Sequence, residues 1–186
     1  MCCRTIKILP KAKCMALAVL LPVLCSPAVG YAEPELREQV KAAYLYNILQ
    51  FVTFPEYAFQ DTGALNVCIL GQDKFGPVLD QVDAAETAQA ELNITRLGSF
   101  TDGTALGECN AIYVVETEKA KIESIMASVD SKTILTISEF SPFIEYGGLI
   151  ELFEQDGRIR FRINEQLVRE TDYQLAAQLI QLGVRK

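Results

Sequence analysis

The chain has 186 residues, with 17 basic and 24 acidic side chains, a net charge of −7, six cysteines and neither histidine nor tryptophan. Without histidine there is no Ser/His/Asp or Cys/His catalytic group, no imidazole metal ligand and no imidazole proton shuttle. The negative charge argues against nucleic acid as a partner, because that affinity comes mainly from a concentrated basic face meeting phosphates.

The opening segment reads as an export signal. Arg4, Lys7, Lys11 and Lys13 form a positive start without an acid, Met15 to Leu24 is a short apolar core, and Gly30, Tyr31, Ala32 offer a cleavage site. Crossing a bilayer takes roughly 20 apolar residues, and this run is about half that and broken by Pro22. A lipid-attachment site needs a small residue before its cysteine, and Leu24 stands before Cys25. The expectation is a leader over 1–32 cleaved near Ala32, and a working domain over 33–186 in the periplasm without membrane insertion. That domain carries 13 basic and 24 acidic groups, a net of −11, and keeps only Cys68 and Cys109. Anionic headgroups would repel it.

A single cysteine pair in an exported chain is most simply a disulfide, stabilising by about 4 kcal/mol on the chain-entropy argument. The alternative is a redox switch or reactive thiol. A basic neighbour would favour it, but the nearest charges, Asp73 and Glu108, raise a thiol pKa.

In chain order, Glu35 to Val52 is a predicted helix with Leu36, Val40, Tyr44, Ile48 and Phe51 on one stripe. From Ala42 onward it is apolar on nearly all sides, so it is either enclosed or turns an outer face to a partner. Phe54 precedes Pro55, which ends the element. Leu65 to Leu70 reads as a buried strand, followed by a turn at Gly71, Gln72, Asp73 and a short helix from Pro77 to Val82. Strands follow near Leu92 to Leu97, at Ala111 to Val115 and at Thr133 to Ile137, with a helix from Lys119 to Val129 before the last. Ser138 to Glu145 is a short helix or loop leading to a hairpin.

Asp156 and Gly157 form that hairpin's two-residue turn, of the type needing positive φ. The register sets Leu152 opposite Phe161 and Ile150 opposite Ile163 on a core face. Glu151 then opposes Arg162, and Phe153 opposes Arg160, on a charge-matched surface. A closing helix carries Leu175, Leu179 and Leu182 and stops at Gly183. The fold class is α/β: a single three-layer domain with a mostly parallel central sheet, flanking helices and a C-terminal antiparallel hairpin.

Few features point to chemistry. The Gly71 to Gly76 loop lies where backbone amides often cradle phosphate, but it lacks a Lys-Ser/Thr pair and reads mainly as a turn capped by Asp73. Arg158, Arg160 and Arg162 share one strand face and form a possible anion face; the plainer reading is a solvated surface answered by Glu151 and by stacking on Phe153. Glu116, Glu118 and Glu123 suit the start of the helix near Lys119. Asn93, Ile94, Thr95 match a glycosylation triplet inside a strand and are given no role. No catalytic residue, cofactor site or metal site is expected, and the chain is read as a non-enzyme.

AAYLYNILQFVTFPEYAF (42–59), LNVCILGQDKFGPVLD (65–80), CNAIYVVE (109–116), TILTISE (133–139), YGGLIELFEQDGRIRFRIN (146–164) and LAAQLIQLG (175–183) together resemble the YfiR family of small periplasmic regulatory proteins. The resemblance implies a regulator that binds the periplasmic domain of an inner-membrane diguanylate cyclase and holds it inactive, lowering cyclic di-GMP. An outer-membrane lipoprotein that sequesters the repressor is a possible second partner, and a homodimer is expected. The family's cysteine pair maps onto Cys68 and Cys109. Some members carry a second pair near the segment that is Ser141 to Leu152 here; this chain has none, which puts control through a second bridge in doubt. Tyr46, Leu49, Phe54 and Phe59 are the expected partner-binding residues, chosen for the apolar surplus there. The alternative is a periplasmic small-molecule-binding module serving a sensor kinase or transporter, motivated by the Gly71 loop and the arginine face.

Overall fold

A computed structural model describes residues 32–184. Residues 1–31 of the expected leader, with four of the six cysteines, lie outside the described residues. The fold is the expected α/β domain, a mixed and mostly parallel sheet with helices on its faces.

Helix α1 (Ala32–Gln50) leads into a two-residue strand β1 (Val52–Thr53). Then come β2 (Ala64–Leu70), the one-turn helix α2 (Pro77–Asp80), β3 (Glu91–Gly98), β4 (Ala111–Val114), α3 (Lys119–Ser128) and β5 (Leu135–Ser138). The hairpin strands are β6 (Ile150–Gln155) and β7 (Arg158–Ile163), and the chain closes with α4 (Glu165–Val168), β8 (Gln174–Leu175) and α5 (Ala177–Leu182). The six-stranded sheet runs β3-β2-β4-β5-β6-β7, parallel from β3 to β6, with β7 antiparallel at one edge.

Alternation along the central strands divides the core in two, because successive side chains point to opposite faces. Val67, Ile69, Tyr113, Leu135, Ile137, Ile150 and Leu152 meet α1, α2 and α5 on one face. Cys68, Leu70, Ile112 and Val114 meet Ile122 and Ile125 of α3, and Phe143, on the other. Three buried polar side chains of that second face pin the irregular crossover between β5 and β6. Ser138 donates to the Val114 carbonyl and accepts from Phe140 N, Thr136 accepts from Leu149 N, and Glu151 accepts from Ile144 N. That crossover holds a 3₁₀ turn over Phe143–Tyr146 instead of a full helix.

The hairpin has the expected register, with Ile150↔Ile163, Glu151↔Arg162, Leu152↔Phe161 and Phe153↔Arg160. Asp156 and Gly157 both take positive φ, 51° and 70°, as the two-residue turn demands. Glu151 is fully buried, however, so its face is covered by the 3₁₀ turn and is not an open charged surface.

Several helix ends differ from expectation by a few residues, and one cause explains two of them. Val52 leaves α1 and Leu175 stays out of α5, because the two residues pair as a small antiparallel sheet closing the chain's ends against each other. A tertiary strand pairing overrides the local helical pattern at both places. The stripe of Leu36, Val40, Tyr44, Ile48 and Phe51 divides between core and surface. The buried ridge of α1 is Ala42, Leu45, Ile48 and Leu49, whereas Leu36, Val40 and Phe51 are exposed. Burying each of the larger ridge residues contributes about 2 kcal/mol.

Two buried phenols fix a pH dependence. Tyr113 donates to Glu139 at 2.7 Å and Tyr173 donates to the Ser131 carbonyl at 3.0 Å. Burial, reinforced by Glu139 for Tyr113 and by Asp130 for Tyr173, raises both pKa values well above the ordinary tyrosine range. The unfolded chain releases these protons near pH 10, while the folded chain keeps them. Their contribution is therefore complete below pH 10, and stability falls above it by about 1.4 kcal/mol per pH unit for each tyrosine. Urea melts from pH 9 to 11.5 should show that slope, and Tyr173→Phe should roughly halve it.

Candidate functional site

The Gly71–Gly76 loop holds no open anion cradle. Its cationic visitor is the protein's own Arg96, which donates to the Gly76 carbonyl and to Asp73 and Asp80. Asp73 does not cap α2, whose first flanking residue is Gly76; it accepts from Phe75 N in a local turn. Gly71 sits at φ +108°, with the side chain of Val115 3.2 Å from where a Cβ would stand, so β2 and β4 close against each other at the sheet's carboxyl end. Crevices at that place, beside the strand where the sheet's winding reverses, bind ligands in many α/β proteins. Here Phe75 packs edge-on to Tyr113, its ring buried in the first core.

The acids around α3 are structural. Glu116 accepts from Thr117 N and Glu118 N; burial opposes its charge, but these bonds and Lys121 outweigh that and lower its pKa. Lys121 also reaches Glu118, and Lys119 reaches Glu123 one turn on. Among the described residues, no group of three or more histidine, cysteine or acidic side chains is placed to hold a metal ion.

Cys68 and Cys109 are joined in a disulfide with their Cα atoms 5.8 Å apart. Both are buried in the second core, beside Leu70, Leu106 and Ile112.

The four expected partner-binding residues separate. Leu49 and Phe54 are core residues, 1% and 3% exposed, so the expectation that they contact a partner is corrected. Leu49 belongs to the ridge of α1 that packs on the sheet, and Phe54 lies against Tyr173. A Leu49→Asp change would bury an unpaired carboxylate and disturb folding before it tested binding. Tyr46 is half-buried and reaches the Glu86 carbonyl, and Phe59 is half-buried against the first core. The arginine row separates too. Arg162 stacks on Phe153 at 4.1 Å and stands 3.7 Å from Glu151, while Arg158 and Arg160 are exposed, with no carboxylate partner among the described residues.

Among the described residues, an open apolar stripe runs along α1 and just past its end. Leu36, Val40, Ala43, Asn47 and Phe51 are all exposed. They follow one another at spacings of four, three, four and four residues, the repeat by which one helix offers a seam to another. Leu182 of α5, at 68% the most exposed large apolar residue among the described ones, extends the patch. Two grooves run beside this seam and share Val40 and Tyr44. One of about 460 Å³ lies toward the hairpin and is lined by Leu36, Ile159, Arg158 and Arg160; the other, about 370 Å³, runs toward Phe51, Phe161 and Leu182.

A charged clasp holds the inner edge of α1. Lys41 pairs with Glu38 and with Glu139, and Glu139 also accepts from Tyr113. Burial disfavours the charged lysine, but the bonds and charges of the two carboxylates outweigh it and raise its pKa. Arg37 reaches across to Glu154 of β6 at 2.8 Å. The helix is thus fixed in position while its outer seam stays uncovered.

The profile of the YfiR/HmsC-like family matches residues 38–184, from the second turn of α1 to the end of the described chain. The chain belongs to the YfiR/HmsC-like family. YfiR-like proteins are periplasmic regulators and not catalysts, which agrees with a surface whose open feature is an apolar seam. No match was found among curated proteins. Among the described residues of this YfiR-like chain, no helix is long and apolar enough to cross a membrane.

Sequence reasoning placed Leu36, Val40, Tyr44, Ile48 and Phe51 on one stripe without saying which side of the helix faces out, so the seam was not singled out. A signal was present. The ridge Ala42, Leu45, Ile48, Leu49 is apolar throughout, whereas the seam carries Asn47, and Arg37 and Gln39 flank its first residues.

Proposed function

We propose that this YfiR-like protein is exported to the periplasm, binds the periplasmic domain of an inner-membrane diguanylate cyclase and holds it inactive, lowering cyclic di-GMP. The observation that carries the reading is the uncovered apolar seam of α1 in a member of a regulatory family. Repression of this kind needs no nucleophile and no metal. It needs a surface that favours the inactive conformation of the target by a few kcal/mol. An outer-membrane lipoprotein that sequesters the repressor would act by covering the same surface, and a homodimer is the competing occupant.

Deleting the gene should raise cyclic di-GMP, and restoring it should lower the nucleotide again. Val40→Asp and Phe51→Asp change exposed positions, so both variants should keep the wild-type circular dichroism spectrum and melting temperature within about 2 °C. Each should lose at least ten-fold in affinity for the cyclase domain and fail to restore repression. An unchanged nucleotide level in the deletion strain would sink the reading.

A further inference from the structure

The seam is asymmetric along its length, and that asymmetry bears on what covers it. At the Leu36 end the larger groove is bordered by Arg37, Arg158 and Arg160, and the one acid there, Glu154, is already bonded to Arg37. The Arg158 and Arg160 side chains leave β7 on the face away from α1. Because β7 is the edge strand, they still border the groove where it opens past that edge. At the Phe51 end the lining is Asn47, Phe51, Leu179 and Leu182, without a charge. A protein with net charge −7 therefore presents two unanswered arginines beside its most exposed apolar stripe.

We infer that the seam receives an amphipathic helix of the regulated partner, acidic at the end that lies beside the β6–β7 turn, with Arg158 and Arg160 gripping its carboxylates. The inference rests on the repressor reading above and specifies the partner's recognition element. The four-three-four-four spacing from Leu36 to Phe51 suits a helical occupant, and the seam's run of about 22 Å accommodates about four turns.

The chain's own segments fit less well. The expected leader is basic at Arg4, Lys7, Lys11 and Lys13, and Arg185 and Lys186 are basic too, so neither segment carries the charge that would answer the arginines. A second copy fits poorly in either orientation. Antiparallel pairing of two α1 seams sets Arg158 and Arg160 of one copy against the uncharged Phe51 and Leu182 end of the other, and parallel pairing brings the arginines of both copies together.

The test uses two 18-residue stapled helical peptides with leucines at seam spacing, one with three glutamates in its first turn and the other with three lysines there. Stapling keeps both helical, so that charge alone differs. Fluorescence anisotropy against the purified protein should show the glutamate peptide binding at least ten-fold tighter than the lysine peptide. Arg158→Glu with Arg160→Glu should reverse that order, and Val40→Asp should weaken both. Equal binding of the two peptides, binding of neither, or an order unchanged by the double reversal would overturn the inference. So would a sedimenting dimer that the peptide splits and Val40→Asp abolishes, since the seam would then belong to a second copy.

In cells, the double reversal should lose repression. If it represses normally in a strain whose deletion raises cyclic di-GMP, the acidic helix is wrong and the repressor reading stands. If the deletion itself changes nothing, the repressor reading fails whatever the peptides do.

Discussion

Gly148→Ala should cost about 3 kcal/mol of stability, the largest effect expected of any single methyl group added to this chain. A Cβ at Gly148 would stand 2.2 Å from two ring atoms of Phe143 and 2.7 Å from a third. Contacts that short require movement, and neither side is free to give. Phe143 is fully buried in the second core with Ile122 and Ile125 of α3. Gly148 is held by its own N–H, which donates to the Phe143 carbonyl, and by its carbonyl, which accepts from Asn164. Gly147 supplies the control. It has φ +85° and nothing within 4 Å of its Cβ position, so Gly147→Ala adds backbone strain without a clash and should cost about 1 kcal/mol. Urea denaturation of the two variants separates the contributions. In a Phe143→Leu background the Gly148→Ala penalty should shrink, because the two sites are in contact and their effects do not add. Equal penalties at Gly147 and Gly148 would mean that the ring yields and the tight approach carries little energy.

The Gly147-Gly148 pair shows where sequence was enough and where it was not. Two adjacent glycines before a hairpin mark a turn, and local rules expect one. That the second glycine exists to admit a phenyl ring five residues earlier is a packing fact, invisible without the path of the crossover. The same division runs through the fold. The β6–β7 register was legible because a two-residue turn fixes it arithmetically and because alternation at Ile150, Leu152, Phe161 and Ile163 has period two. The parallel strands were legible as continuous apolar runs. The pairing of Val52 with Leu175 was not, because no local pattern announces a two-residue strand formed between ends of the chain more than a hundred residues apart. The candidate site suffered most. An apolar helix with residues on all sides gives a weak phase signal: Val40 and Leu49, nine positions apart, lie on opposite sides of the helix and are both apolar, so apolarity alone does not say which of them faces out. Leu49 and Phe54 were therefore expected at an interface although they are core, while Leu36, Val40 and Phe51 were read as one stripe without an assigned face and form the open seam.

Removing the Cys68–Cys109 bridge should lower stability by about 4 kcal/mol and the melting temperature by about 10 °C. The closed loop spans 41 residues, and the estimate comes from the conformational freedom that the unfolded chain regains when the loop opens. The variant to use is Cys68→Ala with Cys109→Ala, since a single change leaves a free thiol in an apolar site. The loss should be local before it is global. The bridge ties β2 to a residue two positions before β4, and the loop it closes contains α2 and the edge strand β3, which pairs only with β2 within the sheet. Hydrogen exchange should therefore accelerate first at Glu91–Gly98, while β6, β7 and α1 keep their protection. The seam lies on α1, held by the Lys41 clasp and the Arg37–Glu154 pair, and none of these contacts passes through the bridge. On the proposed repressor function, the bridgeless protein should hence bind its cyclase target with nearly unchanged affinity at 20 °C, yet accumulate poorly in cells as its unfolded fraction rises. If affinity instead fell in step with β3 protection, the binding surface would have to include the β3 edge, and the seam of α1 would be only part of it.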